Sequence, residues 1–337
     1  MAALIGHESQ EVDFVEAHSS GRMAHAWLLT GPRGVGKAGF ARRAATWIIA
    51  HGADAVAPSA TLNVDSGHPA QHLIDSGAHP EFLWLKRDVA PSKAKKVADG
   101  DATEEDLARN ITVDQVRGLI GRMRNKPAVA EHRAVIVDSI DDLERGAANA
   151  LLKTLEEPPV KTVFFLVSHN PGRLLPTIRS RCRTLRFAPL DSAAMSRALA
   201  IARPDLHGDA LATFARLGEG SPGKALTYAG LDGIADIDKR LRSIASGGDR
   251  DNRLRAELAR QFGLAAAKPK FDVMLAQAVA IAAEVAHEGG EAGSAALAVR
   301  ERILSSGSAA VRNSEDLATV AFAIGNSLAT LASPARQ

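Results

Sequence analysis

Short apolar runs alternate with helix-like apolar spacings over residues 1–190 of the chain. The runs predict five strands: Ala26–Leu29, Glu81–Lys86, Arg133–Asp142, Val163–Val167 and Thr184–Phe187. The spacings predict helices at Gln10–Ser19, after Lys37, and at Ile111–Met123, Asn149–Pro159 and Arg173–Ser180. Unbroken apolar strands are typical of a parallel sheet with helices on both faces. We therefore expect an α/β domain in this part of the chain.

The remainder of the chain has helical spacings only. We expect a small group of helices over residues 191–233 and an all-helical domain over 234–337, because a chain of 337 residues usually forms more than one domain. The last helix carries an apolar stripe. It consists of Leu317, Val320, Ala321, Ile324, Leu328 and Leu331. Ser314 is its expected N-cap, with Glu315 and Asp316 in the first turn.

Two stretches have no clear helix or strand period. Residues 51–80 are rich in His, Ala, Asp, Gly and Pro, and we expect them to form a surface excursion. Residues 87–105 carry Lys93, Lys95 and Lys96 before an acidic patch. A solvated loop is the simpler interpretation of these lysines, and a nucleic-acid contact is the alternative.

Composition excludes several classes of protein. A net charge of +2 is too small for the whole chain to act as a nucleic-acid binder, so any DNA contact is expected to be local or supplied by partners. The single cysteine excludes internal disulfides and a cysteine zinc cluster. No apolar run approaches the roughly 20 residues of a membrane span, and the first residues lack a secretory-signal pattern. We expect a cytoplasmic protein.

The stretch LLTGPRGVGK, which ends at Lys37, places a glycine turn between the first strand and a helix. Glycines let backbone N–H groups converge on phosphate oxygens, and the helix N-terminus adds partial positive charge. Lys37 supplies a cation for the outer phosphates. The predicted cradle consists of Gly31, Gly34, Val35, Gly36, Lys37 and Ala38. The alternative is a glycine-rich helix start with an incidental lysine.

Two residues lack the functional groups that hydrolysis of a phosphate bond requires. Ala38 stands where the motif has Ser or Thr, and a methyl group cannot ligate Mg²⁺. Asp138, in the predicted strand Arg133–Asp142, is expected at the sheet edge where the glycine turn (the P-loop) opens. It is the expected Mg²⁺-holding acid, with a turn or N-cap aspartate as the alternative. Ser139 follows it and is no base at neutral pH. We expect a site that holds ATP or ADP, binds Mg²⁺ weakly or not at all, and does not hydrolyse the nucleotide.

Three motifs follow one another later in the predicted sheet domain. They are LLKTLEEPP before the fourth strand, the polar turn Ser168–Pro171 after it, and the triplet Ser180–Cys182. In this order and spacing they resemble the bacterial clamp-loader subunits of the ring-ATPase (AAA+) superfamily, and among these the delta-prime type. The resemblance covers about residues 1–190. It implies an AAA+ P-loop domain, a helical lid over 191–233 and an all-α collar domain over 234–337.

The resemblance also implies a role for Arg181 in the SRC triplet. In that family this arginine acts in trans, as an arginine finger on the ATP of a neighbouring motor subunit, and a planar, permanently charged guanidinium suits that chemistry. An ion pair within the chain is the alternative for Arg181. His169, in the polar turn, is expected at the nucleotide site. Cys182 is expected to be a small buried residue.

Two further positions differ from the family pattern. Many relatives bind zinc through four cysteines after the P-loop helix, whereas this chain has only His68, His72 and His79 there, so we expect no zinc. Motor relatives have a sensing arginine in the lid helix. Gly223 stands at that position, and Lys224 follows it.

Together with the departures at Ala38, Ser139 and Gly223, the resemblance implies a largely non-hydrolysing clamp-loader subunit of a bacterial DNA polymerase III complex. The resemblance implies no polymerase active site and little or no ATPase activity of its own. The expected partners are motor subunits and a delta subunit, joined through the collar, together with the sliding clamp and, through the complex, primed DNA; no membrane is expected. The alternatives are an ATP-hydrolysing motor subunit and a free-standing nucleotide-binding regulator.

Overall fold

The structure is a computed structural model. It describes residues 4–52, 61–93, 106–263, 268–313 and 316–332. The chain divides into two compact units, the first formed by Met1–Ala202 with Glu219–Lys224 and the second by Arg203–Gly218 with Ala225–Gln337. The domain boundaries expected near residues 190 and 233 stay a prediction.

Five parallel strands form the sheet of the first unit. They are β1 (Ala26–Thr30), β2 (Phe82–Lys86), β3 (Arg133–Asp138), β4 (Thr162–Ser168) and β5 (Arg183–Arg186). Their order across the sheet is β2-β3-β4-β1-β5, so β1 lies between β4 and β5. Parallel neighbours need crossover connections, which helices provide. The predicted α/β class with a parallel sheet is confirmed.

Seven α-helices of the described residues accompany this sheet. They are α1 (Glu8–Ser19), α2 (Lys37–His51), α3 (Pro69–Asp75), α4 (Val113–Arg122), α5 (Arg145–Glu156), α6 (Pro176–Arg179) and α7 (Ser192–Ala202). Helices α1 and α2 share a core with one face of the sheet, and α4 and α5 share a core with the other face.

The three inner strands β1, β3 and β4 are buried along almost their whole length because both faces of the sheet are covered there, whereas the edge strands β2 and β5 keep exposed residues. Successive strand residues point to opposite faces. In β1, Trp27 and Leu29 join the core with α1 and α2, whereas Leu28 joins the core with α4 and α5. Phe14 of α1 lies against Trp27, with 4.9 Å between the ring centroids. Each such buried side chain contributes about 1.5–3 kcal/mol.

Helix α4 begins where the sequence predicted. The side chain of Thr112 accepts a hydrogen bond from the backbone N–H of Gln115, and the Gln115 side chain accepts one from the backbone N–H of Thr112. This reciprocal capping box satisfies two N–H groups that a helix start otherwise leaves without partners. Val116 and Leu119 of the predicted apolar face are buried.

The third strand is shorter than the predicted Arg133–Asp142. It ends at Asp138, and residues Ile140–Asp142 form a 3₁₀ turn instead. The Ser139 hydroxyl donates to Asp142 Oδ2 at 3.0 Å and helps to close this turn. Ile140 is buried in the turn, so an apolar residue extended the sequence pattern beyond the end of the strand.

Helix α5 was predicted over Asn149–Pro159 but occupies Arg145–Glu156. It ends before Pro158, because a proline disfavours helical backbone in the residue that precedes it and has no N–H to donate. Its first turn consists of Arg145, Gly146 and two alanines, of which Ala147 is buried, so it carries no large apolar side chain that the spacing could reveal.

Two further predicted elements differ from the structure. Residues 51–80 contain the helix α3. This helix has 7 residues, which are too few to produce a visible apolar period. Residues 53–60 lie outside the described part. The predicted helix Arg173–Ser180 is a 3₁₀ turn followed by the short α6, which begins at Pro176 because proline suits the first helical position. Strand β5 starts one residue before the predicted Thr184.

The second unit is helical in all of its described elements. Its helices, of which α9 begins in the first unit, are α8 (Gly208–Leu217), α9 (Pro222–Ala229), α10 (Ile234–Gly247), α11 (Arg253–Arg260), α12 (Lys268–His287), α13 (Gly290–Asn313) and α14 (Leu317–Ala329). Asp238 of α10 is buried and pairs with Arg216 and Arg242. Among the described residues, no helix is long and apolar enough to cross a lipid bilayer.

The last helix confirms the apolar stripe and corrects its cap. Val320, Ile324 and Leu328 are buried. The cap is Asp316, whose side chain accepts a hydrogen bond from the backbone N–H of Thr319 at 3.0 Å, and the predicted Ser314 lies outside the described residues. Of the lysines at 93, 95 and 96, only the first is described, at the end of a 3₁₀ turn.

Candidate nucleotide site

The carboxyl ends of three neighbouring strands meet at one edge of the sheet. Thr30, the last residue of β1, is level with Ser168 of β4, and Asp138, the last residue of β3, is level with Val167. The P-loop follows β1, and His169 follows β4. The sheet therefore brings the predicted cradle, Asp138 and His169 to the same edge.

The P-loop begins with a glycine that other residues cannot easily replace. Gly31 has a φ of 147°, and a β-carbon there would lie 2.2 Å from the carbonyl oxygen of Phe187. Gly34 and Gly36 also have positive φ values, of 75° and 116°. Side chains other than glycine rarely adopt this backbone conformation, so the loop depends on its glycines.

Lys37 is buried and is held by the loop itself. Its Nζ donates to the carbonyl oxygens of Gly31, at 2.7 Å, and Pro32, at 2.5 Å. Its exposed fraction is only 2%. Burial lowers the pKa of Lys37 to about 8, although attraction to Asp138 and Asp141 opposes the shift. The lysine thus carries its charge at neutral pH at some cost, and an anion that approached it would relieve that cost.

The segment Glu219–Lys224 holds the next two carbonyl groups of the P-loop. Ser221 Oγ donates to the carbonyl oxygen of Arg33 at 2.8 Å. The backbone N–H of Gly223 donates to the carbonyl oxygen of Gly34 at 2.9 Å. Two hydrogen bonds therefore attach this segment to the glycine turn.

His7 holds a third carbonyl group. Its Nε2 lies 2.7 Å from the Val35 oxygen, and because a carbonyl oxygen only accepts, Nε2 carries the hydrogen. Burial lowers the pKa of His7, so its ring is neutral at neutral pH. In a planar trans peptide the C=O and the following N–H point in opposite directions. The N–H groups of residues 34–36 therefore point away from the groups that hold the preceding carbonyls, and free N–H groups of this kind are what an anion-binding nest needs.

Position 223 requires a glycine for a steric reason. A β-carbon at this position would lie 2.8 Å from the Cα of Gly34 and 3.0 Å from its carbonyl oxygen. Conversely, a β-carbon on Gly34 would lie 2.5 Å from Ser221 Oγ. The position where the resemblance leads us to look for a sensing arginine is thus occupied by a backbone contact that only glycine permits without a shift.

Asp138, the acid that the sequence suggests as a holder of Mg²⁺, ends β3 on the acidic side of the site. Burial raises the pKa of Asp138, and the nearby Asp142 adds to the rise, while Lys37 opposes it. The Ser139 hydroxyl is buried and donates to Asp142 Oδ2. Ala38 has no ligand atom. The residues present fit Mg²⁺ poorly, because the P-loop hydroxyl that would share it with Asp138 is missing.

Asp141 shapes the turn after β4, and its role was not visible in the sequence. Its Oδ1 accepts hydrogen bonds from Ser168 Oγ, at 2.9 Å, and from the backbone N–H of Asn170, at 3.3 Å, while its Oδ2 accepts from the backbone N–H of His169 at 2.5 Å. Burial lowers the pKa of His169 to about 4, and the positive charges of Lys37 and Arg33 add to this. His169 is therefore a neutral imidazole at neutral pH.

The residues that sequence reasoning missed around the cradle are His7, Ser221 and Asp141. Each acts through a backbone group far away in the chain, so spacing gave no signal for it. The only available hint was that Ser221 and Gly223 belong to a short glycine-rich stretch.

Arg181 lies away from this edge. Arg183, the first residue of β5, is level with Trp27 of β1, so the residues before it lie towards the amino-terminal edge of the parallel sheet. The guanidinium of Arg181 contacts Glu156 Oε1, at 2.8 Å, and the carbonyl oxygen of Thr177, at 2.9 Å. The ion pair weighed as the alternative for Arg181 is thus present in the structure.

The three histidines after α2 have separate environments. His68 caps α3 by accepting a hydrogen bond from the backbone N–H of Ala70, His79 is buried, and His72 is exposed. No group of three or more metal-ligating side chains is found in the described ranges. Whether the chain binds zinc stays a prediction. Cys182 is half-buried, and burial raises the pKa of its thiol to about 11.

Comparison with known proteins gives the class and then the family. A parallel sheet in this order, with a P-loop after β1 and an acid at the end of β3, defines a P-loop domain of the AAA+ type. Residues 6–191, more than half of the chain, match the model of the family described as "DNA polymerase III, delta subunit". The chain belongs to this family.

Two similar curated relatives are both named DNA polymerase III subunit delta'. The protein of Pseudomonas aeruginosa PAO1 is 36% identical over 222 residues, which cover 66% of this chain and 60% of the relative. The protein of Escherichia coli K12 is 37% identical over 158 residues, which cover 46% of this chain and 41% of the relative. This chain therefore spans less than two thirds of either relative.

A solved structure of a DNA polymerase III gamma subunit-related protein from Thermotoga maritima matches with a TM-score of 0.44 and 16% identity, covering 95% of this chain and 98% of that one.

Replacement of Gly223 by alanine tests its contact with the P-loop. Because a new β-carbon would lie 2.8 Å from the Gly34 Cα, the backbone must shift. Overpacking costs about 1–3 kcal/mol, so we expect Gly223→Ala to lower the free energy of unfolding by this amount in urea denaturation. Gly121→Ala is the control, because Gly121 in α4 has open space at its β-carbon. Equal stability of the two variants would contradict the tight contact.

Replacement of Lys37 by methionine tests its lowered pKa. Between about pH 8 and the ordinary value of 10.5, the unfolded chain binds the proton of Lys37 more strongly than the folded chain does. Stability rises with pH where the unfolded state binds more protons. We therefore expect the free energy of unfolding of the unmodified chain to rise relative to Lys37→Met across this window. The exposed Lys126→Met is the control, and a flat difference for Lys37→Met would show an ordinary pKa.

Proposed function

We propose that this chain is a largely non-hydrolysing, delta-prime-type subunit of a bacterial DNA polymerase III clamp loader, and that Arg181 acts in trans on ATP bound by a neighbouring subunit. Membership of the family and the two relatives named delta' support the first part. The position of Arg181 at the sheet edge opposite the P-loop supports the second and is the observation that carries it.

The strand register separates Arg181 from the P-loop of its own chain by more than the length of β1 beyond Trp27. From Trp27, which is level with Arg183, to Gly31 the strand advances about 13 Å at roughly 3.3 Å per residue. Arg181 precedes Arg183 by two residues and so starts from farther away. An arginine at the amino-terminal edge can reach phosphates only if another molecule presents them there.

The chemistry of an arginine suits this task. Its guanidinium is planar, stays charged, and matches phosphate oxygens with two N–H donors. In enzymes that transfer phosphoryl groups, an arginine supplied by a neighbour neutralises the charge that develops in the transition state, and it accelerates turnover by about 10³–10⁵. A lysine supplies a charge without this fork.

The chain's own site supports holding a nucleotide without cleaving it. The P-loop N–H groups and Lys37 form an anion cradle, so ATP or ADP would be held there by its phosphates. Ala38 provides no metal ligand, Ser139 provides no base, and Gly223 provides no cation. If Mg²⁺ binds at all, it relies on Asp138 and on the nucleotide itself.

The proposed partners follow from the same family. The chain would join motor subunits and a delta subunit through its helical second unit, and the assembled complex would place a sliding clamp on primed DNA. The rival is an ATP-hydrolysing motor subunit. This alternative is supported by the tau/gamma subunit of Haemophilus influenzae, which is 30% identical to this chain over 200 residues. These residues cover only 25% of that protein.

The isolated chain is expected to show almost no ATPase activity, because it lacks a metal ligand at 38 and a base at 139. Steady-state release of phosphate from ATP measures this, with Lys37→Ala as the control that separates the chain's own turnover from a contaminant. Turnover of about 1 per second or more that Lys37→Ala abolishes would favour the motor subunit instead.

Arg181→Ala is expected to leave the chain folded and able to join the complex, because its ion pair is half-exposed and such pairs contribute about 0–1 kcal/mol. It should reduce ATP turnover at the neighbouring motor site by up to roughly a thousand-fold. Single-turnover hydrolysis in the reconstituted complex measures this, and Arg181→Lys should restore little.

Arg179→Ala is the matched control for this experiment, because Arg179 is an exposed arginine only two residues earlier in the chain. It should leave turnover unchanged. Normal assembly together with normal turnover in Arg181→Ala would refute the finger role, and failure of that variant to fold would make Arg181 a structural residue.

A further inference from the structure

Both terminal nitrogens of Arg181 contact acceptors of the same chain. Nη2 lies 2.8 Å from Glu156 Oε1, and Nη1 donates to the Thr177 carbonyl oxygen at 2.9 Å. Arginine recognises a phosphate through parallel N–H donors of one fork. A phosphate that approached Arg181 would therefore compete with these acceptors for the same two nitrogens.

Glu156 is well placed to hold an arginine. It is the last residue of α5, where the exposed carbonyl groups of the helix end carry partial negative charge. The helix stops here because Pro158 follows, so the LEEPP motif fixes where this carboxylate stands. The neighbouring Glu157 is also exposed, and within the described part of the chain no ion pair involves it.

The pair between Arg181 and Glu156 is weak enough to exchange. The two side chains are 35% and 43% exposed, so water screens their attraction. Breaking a buried ion pair by removal of one partner is strongly destabilising, whereas an exposed pair contributes little. This contact can therefore orient Arg181 without trapping it.

We propose that Glu156 is a positioning residue that keeps Arg181 in a disengaged orientation until the phosphate oxygens of a neighbouring subunit's nucleotide displace its carboxylate. This inference rests on the proposed finger role of Arg181. A nucleoside triphosphate carries more negative charge than one carboxylate, so it takes the guanidinium when the neighbouring site is brought close. Because the ion pair stabilises only the disengaged state, it lowers the fraction of fingers that act.

Glu156→Gln tests this role in the reconstituted complex with its motor subunit. Glutamine keeps the size of the side chain and removes its charge. We expect the kcat for ATP at the motor site to rise about two- to fivefold, the upper value being the factor that corresponds to the strongest exposed pairs. The KM for ATP should change less than kcat, because a finger acts on charge that develops in the transition state.

Glu157→Gln is the matched control, since it removes the same charge from the next residue, and it should leave kcat unchanged. In an Arg181→Ala background, Glu156→Gln should also have no effect, because the arginine that it releases is gone. Thermal unfolding of each variant shows whether the fold is intact.

The outcomes separate this inference from the proposed function. If Arg181→Ala leaves turnover unchanged, the finger role itself fails. If Arg181→Ala lowers turnover but Glu156→Gln behaves like Glu157→Gln, the finger role stands and the role of Glu156 is refuted. A fall in kcat for Glu156→Gln would overturn the inference as well, since it would show that the carboxylate supports the engaged finger.

Discussion

The parallel pairing of β1 with β4 on one side and β5 on the other is the constraint on which the rest of the first unit depends. Because all strands run in the same direction, every residue that follows a strand lies at one edge of the sheet and every residue that precedes a strand lies at the other. The P-loop follows β1, whereas Arg181 precedes β5. One hydrogen-bonding pattern therefore separates the place where the chain can hold a phosphate from the place where it presents an arginine.

Positions at which the sequence departs from the pattern of motor relatives make structural contacts in this chain. Gly223 packs against Gly34, Ser139 closes a turn with Asp142, and Ala38 leaves the first turn of α2 without a ligand. Replacement of Gly223 by arginine would disrupt its contact with Gly34 in the P-loop, and replacement of Ser139 by glutamate would remove the hydrogen bond to Asp142. Ser221, Gly223 and His7 meanwhile hold the carbonyl groups of three successive P-loop residues, 33 to 35, so the backbone of the loop is fixed.

Much of this could be predicted from the sequence, since strand patterns, the glycine turn, Asp138 and the Thr112 cap depend on residues close together in the chain. The end of β3 could not be predicted. Val137 in the strand and Ile140 in the turn are both apolar and both buried, so the sequence pattern does not distinguish them. Asp141 gave no signal, because it binds backbone N–H groups of a turn that follows another strand. Contacts of this kind exist only once the sheet has formed.

The two edges of the sheet also differ in how firmly they hold their charged groups. Lys37 is enclosed, and its Nζ donates to two carbonyl oxygens of the loop, so the loop itself fixes where the ammonium group lies. Arg181 is half-exposed, and water screens its pair with Glu156. A group that must reach another molecule has to leave its resting partner, and the free energy of that step is small only when the partner is exposed. The exposed pair at the amino-terminal edge therefore lets Arg181 leave Glu156 at a small free-energy cost, whereas burial and two carbonyl partners hold Lys37 in place.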